Sequence, residues 1–223
     1  MSMWIFIHPP TPEPTLKWIG FICHLTQLDK KNDPFILYKI SLTRFTGTPL
    51  HISALLGHVE FTKAIVSQKP QLGAELDTFE LSPLHPAVAE GHSEIVKELL
   101  LANKDSSMFT DQEGRNPLHL AAIRGRVEVI KELISAKPES IFEPIRGETA
   151  LHLCVKHNHL GALKVLVTSV DDEEFLNFKN LEGNSILQVS TMLQQYETTS
   201  YLLSVPKHES GFELLDQKWL SSL

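Results

Sequence analysis

The sequence predicts an all-α solenoid of stacked helix-turn-helix units with extended turn tips, and three observations predict it. A motif recurs: TPLHISALLGH begins at Thr48, SPLHPAVAEGH at Ser82, NPLHLAAIRGR at Asn116 and TALHLCVKHNH at Thr149, at intervals of 34, 34 and 33 residues. Each copy is followed by a second stretch with apolar residues three and four apart: VEFTKAIV, SEIVKELL, VEVIKELI and LGALKVLV. One such helix pair cannot bury its apolar faces alone, whereas neighbouring pairs can cover one another. The 223 residues therefore measure the extent of a stack and not the size of one core.

Each element has a physical reason. Thr48, Ser82, Asn116, Thr149 and Ser185 are short polar residues placed to accept a free backbone N–H at a helix start, and in the first three units Pro follows, where no N–H is missed. The first helix of each unit carries small residues such as Ala54, Ala87, Ala121 and Ala122, which let another helix approach. Gly57, Gly91 and Gly125 then stop it, with Asn158 as the left-handed substitute in the fourth unit. The stretch from each second helix to the next start, with Lys69-Pro70, Lys137-Pro138 and the tips LDTFEL, TDQEGR and FEPIRG, reads as extended turns without a third helix. A worn fifth copy, SILQVSTMLQQ, begins at Ser185 after an interval of 36 that holds the acidic insertion Asp171 to Glu174.

The domain reading is a divergent segment over 1–23 and a repeat domain over 24–204. That domain opens on a partial unit and continues with repeats near 43–76, 77–110, 111–143 and 144–179 and the degenerate 180–204. Residues 205–223 form a tail without the repeat pattern. Pro86, one turn into its helix, predicts a frayed or distorted start there. Pro144 reads as a replacement for the tip Asp of the fourth unit, Glu80 stands where a tip Gly is expected, and Gln188 replaces the signature His of the last unit.

The third copy, with Asp111, Gly114, Pro117, Leu118, His119, Ala121, Ala122, Gly125, Leu133 and Ile134, resembles the ankyrin repeat, and four copies in phase make the resemblance specific. The resemblance implies structural roles for Thr48, His51, Ser82, His85, Asn116, His119, Thr149 and His152, with the imidazoles bridging backbone groups of adjacent tips. The Lys-Pro pairs further resemble land-plant ankyrin proteins that carry a membrane-spanning PGG domain and take part in defence or stress signalling. On that narrower resemblance the PGG and transmembrane region is missing here, and plasma-membrane association enters as an expectation.

Composition narrows the function classes. Lys+Arg 20 against Asp+Glu 27 gives a net charge of −7, which disfavours nucleic acid as a partner. A 42% hydrophobic fraction supports a folded chain, and no stretch approaches the ~20 apolar residues of a membrane span. Two distant cysteines, Cys23 and Cys154, allow one long-range bridge at most and make no disulfide framework, and the start MSMWIFIHPPTPEPT fails as a signal peptide, so a reduced, cytoplasmic setting is the simpler expectation. Seven of the eleven histidines recur one repeat apart, which spreads them along the stack. The local group His152, His157 and His159 lacks a Cys or carboxylate to complete a metal set. Ser53 near His51 has no orienting acid, Cys154 reads as a small buried hydrophobe, and no phosphate loop is present, so no enzyme, no cofactor and no metal are expected.

The expected function is a non-catalytic scaffold or adaptor for a protein partner, the chain itself being a monomer. Its surface is sought where the repeat leaves identity free: at the tips and at the two positions before each helix stop, which the resemblance places on the concave face. The candidates are Arg44, Phe45, Leu55, Leu56, Phe79, Leu81, Glu90, Arg115, Ile123, Arg124, Arg146, Lys156 and His157. The first two units offer apolar and aromatic groups and the middle units a basic strip from Arg115 to Lys156, side-chain types that dominate binding energy once desolvated.

Overall fold

A computed structural model of the chain describes residues 47–205. Arg44 and Phe45, the predicted partial first unit and the tail beyond Val205 lie outside the described residues. Five helix pairs follow one another: α1 (Pro49–Leu56) with α2 (Val59–Gln68), α3 (Leu84–Glu90) with α4 (Ser93–Ala102), α5 (Pro117–Arg124) with α6 (Val127–Ala136), α7 (Ala150–Lys156) with α8 (Leu160–Thr168), and α10 (Ile186–Met192) with α11 (Tyr196–Ser204). A four-residue helix, α9 (Glu173–Leu176), occupies the acidic insertion. First helices pack against the first helices of neighbouring units and against their own second helices, as a stack requires. Among the described residues no strand forms, and no helix is long and apolar enough to cross a membrane.

The core is one continuous cluster distributed along the stack. Leu50, Leu84, Leu118, Leu151 and Leu187 fill the same place in successive first helices, and Leu99, Leu133, Leu166 and Leu202 do so in successive second helices. A column of small residues is buried as well: Ser53, Ala87, Ala121, Cys154 and Ser190 lie at equivalent positions of successive first helices. Burial pushes the Cys154 thiol up to about 12, so the group is a packed hydrophobe and not a nucleophile at neutral pH.

The segments after the second helices differ from the predicted extended turns. Pro70–Ala74, Lys104–Met108 and Pro138–Phe142 are short 3-10 helices. Pro supplies the required φ in the first and third. In the second, which lacks Pro, Asn103 Oδ1 accepts from the Asp105 N–H at 3.0 Å and gives the same turn.

Pro86 has its predicted effect. α1 and α5 begin at their Pro, but α3 begins one position later, at Leu84, because Pro86 has no N–H to bond the Ser82 carbonyl. Glu80 takes the left-handed conformation at φ 62, and Asn158 does so at φ 57 in place of a glycine.

Candidate functional site

The site is a row of tips and first-helix ends, and two sets of hydrogen bonds hold it in place. The first begins at the helix starts. In the third unit Asn116 Oδ1 accepts from the His119 N–H at 2.9 Å while His119 Nδ1 accepts from the Asn116 N–H at 3.1 Å, a capping box with His where Glu or Gln is usual. That geometry leaves the ring neutral with its proton on Nε2. The proton then points to the next tip: His51 Nε2 donates to the Leu81 carbonyl at 2.8 Å, His119 Nε2 to Glu143 at 2.8 Å and His152 Nε2 to Asn184 at 3.2 Å. The Phe109 carbonyl faces His85, although Nε2 there makes no bond of normal geometry. Burial lowers the pKa of all four imidazoles, and the carbonyls that accept from them oppose it only in part. Gln188 keeps the box, accepting from the Ser185 N–H at 2.9 Å.

The second set was not anticipated from the sequence. His92 Nε2 donates to the Leu55 carbonyl at 3.2 Å, Arg126 Nε and Nη2 to Ala89 at 3.1 and 3.0 Å, His159 Nε2 to Ile123 at 3.0 Å, and Gln195 Nε2 to Val155 at 2.7 Å. Each donor stands at the start of a second helix and satisfies a last-turn carbonyl of the preceding unit, one of the groups that a helix end leaves open. The column is legible afterwards as His58, His92, Arg126, His159 and Gln195: the identity changes, but a long N–H donor is kept. It also explains the stop at Gly125, where φ is 65 and an added Cβ would lie 2.5 Å from His159 Nδ1.

The tips follow one design with one exception. Asp77, Asp111 and Asn180 each accept on Oδ1 from the N–H groups two and four residues on, at 2.8 to 3.0 Å. Burial opposes ionisation of Asp111, but bonds from the Arg115 backbone and guanidinium outweigh it and hold the carboxyl below the usual range. In the fourth unit Ile145, and not Pro144, occupies the tip position: Ile145 and Glu148 exchange both backbone bonds at 2.8 Å across Arg146 and Gly147, at φ 49 and 74. This two-residue turn is of type I′, and it accounts for the 33-residue interval.

The predicted site residues are therefore unequal. Leu55, Leu81 and Ile123 are half-buried and lend their carbonyls to the bonds above, and Leu56 is half-buried beside them. Phe79 and Glu90 are exposed. The basic strip divides. Arg115 is spent on Asp111 at 2.7 Å and on Glu113, and Lys156 on Glu148. Arg124 and Arg146 are exposed and make no ion pair among the described residues. His157 is exposed with its ring parallel to that of His159 at 6.4 Å. Met192 and Leu193, at the same first-helix end in the last unit, add exposed apolar surface.

The groups considered for chemistry have other engagements. His152 and His159 commit Nε2 to carbonyls, and Ser53 Oγ donates to Leu50 O at 3.0 Å and sits 2.9 Å from Thr62 Oγ1. The described residues contain no group of three or more His, Cys, Asp or Glu side chains placed to hold a metal ion.

A search of curated proteins gives no match to the chain. The family model described as ankyrin repeats (3 copies) matches residues 21–107, 50–143 and 84–175, more than half of the sequence. With the capping boxes, the carbonyl ladder and the stacked helix pairs, the chain belongs to the ankyrin-repeat family.

Proposed function

We propose that the chain is a non-catalytic scaffold or adaptor that takes a protein partner on its row of tips and first-helix ends. Ankyrin repeats are generally protein–protein interaction modules. The observation that supports this placement is the division of the basic strip: Arg115 and Lys156 are neutralised within their own units, which leaves Arg124, next to half-buried Ile123, and Arg146 as the strip's exposed cations without an ion pair among the described residues. A partner segment with a carboxylate flanked by apolar side chains fits that surface. Its acid meets a guanidinium able to bind in bidentate fashion, and its apolar groups meet Ile123, Met192 and Leu193.

The test is partner recovery by the intact chain and by the Arg124→Glu/Arg146→Glu variant. Loss of recovery with unchanged helicity is expected, and equal recovery places the interface elsewhere.

A second reading makes the chain the cytosolic regulatory part of a membrane-anchored plant ankyrin/PGG protein in defence or stress signalling. It rests on Lys69-Pro70 and Lys137-Pro138, pairs that open 3-10 turns which Asn103-Lys104 opens equally well. Fractionation of the expressed chain tests it: a wholly soluble distribution removes anchoring for this form.

A further inference from the structure

The last helix pair ends the described stack with a face that its internal counterparts keep covered. Counting from the ladder column, Leu203 stands where Val66, Leu100, Ile134 and Val167 stand in earlier units; Val66, Leu100 and Val167 are 9%, 3% and 5% exposed and Ile134 is half-buried, whereas Leu203 is 46% exposed. Tyr196 occupies the place of Val59, Ser93, Val127 and Leu160, all half-buried, and is 67% exposed. The difference has a positional cause: in a stack each unit is covered by the next, and among the described residues no unit follows α11.

The sequence beyond Val205 does not repeat the motif, but it carries an apolar stripe. In GFELLDQKWL, Phe212, Leu215, Trp219 and Leu220 recur at helical spacing, with Glu213, Leu214, Asp216, Gln217 and Lys218 between them. The six residues from Pro206 to Gly211 span up to about 20 Å when extended. The nine-residue α11 is about 13 Å long. The stretch from 212 to 220 is therefore within reach of the whole length of the exposed face.

We propose that residues 212–220 form a non-repeat cap that lies on the end of the stack, with Phe212, Leu215 and Trp219 against Tyr196 and Leu203 and the charged residues outward. The cap covers the surface on which a second copy would otherwise continue the stack.

Trp219 reports the contact in the full chain once Trp4 and Trp18 are replaced by Phe. The cap predicts a blue-shifted Trp219 emission and acrylamide quenching well below that of the urea-unfolded chain, in a monomer by light scattering. It also predicts loss of that shielding in Leu203→Glu and in Tyr196→Asp, with helicity retained. Trp219 as accessible in the native as in the unfolded chain overturns the proposal, and so does shielding that both substitutions leave unchanged. Shielding found only in a dimer assigns the face to a second copy and overturns it equally.

Discussion

Gly125→Ala tests the close approach that joins the third unit to the fourth. The position has φ 65, so any side chain meets the left-handed penalty of about 1–2 kcal/mol. The added Cβ would also sit 2.5 Å from His159 Nδ1 and 2.7 Å from Cγ, too close for the ring to stay and donate to the Ile123 carbonyl. Losing that bond adds about 0.5–1.5 kcal/mol. The expected total is about 1.5–3.5 kcal/mol, or about 3–14 °C in Tm for a domain of this size. Gly114→Ala is the control, because its φ of 81 carries the same backbone penalty while nothing lies within 4 Å of the new methyl. Thermal and urea unfolding of Gly125→Ala, His159→Ala and the double variant complete the cycle. The account predicts that the double variant costs less than the sum of the singles by about the value of one hydrogen bond. Strict additivity, or equal losses at Gly125 and Gly114, refutes the reasoning.

The four signature imidazoles, neutral in the fold and lowered from 6.5 by burial, make stability pH-dependent. The unfolded chain binds more protons below its own pKa, so this contribution is complete above about pH 6.5 and declines as the pH falls towards the folded values, by at most about 1.4 kcal/mol per pH unit per histidine. Urea titrations between pH 7.5 and 5 should show the decline, and His119→Gln should remove one histidine's share of the slope. Arg126→Met leaves the Ala89 carbonyl without its two donors and should cost about 1–3 kcal/mol in urea unfolding, whereas Arg126→His should restore most of the loss, as His does at the same position in two neighbouring units. Cys154 should resist a thiol reagent in the native chain and react at the rate of global unfolding; rapid labelling contradicts its burial.

The repeat made the fold legible because each job is local. A short polar residue before Pro starts a helix, Gly or Asn stops it, and the apolar period sets the inward side; Thr48, Gly125 and Asn158 do in the structure what their types allow. Periodicity predicts extended segments where the 3-10 turns form, because single features such as the Asn103 side-chain bond close those turns and periodicity does not register them. The ladder is not legible as a motif because its column changes identity from His92 to Arg126 to Gln195, residues that share one acceptor geometry but no residue type. The basic strip appeared continuous because a count of cations does not show which of them are paired. Glu148, across the fourth tip from Ile145, takes Lys156, and Asp111 takes Arg115.

The placement of the partner surface is tested most directly by charge reversal on its two sides. Partner capture from the source cell with the intact chain should be lost in Arg124→Glu/Arg146→Glu and retained in Lys97→Glu, an exposed cation on the second helix α4. Retention by the first variant together with loss by the second contradicts the account.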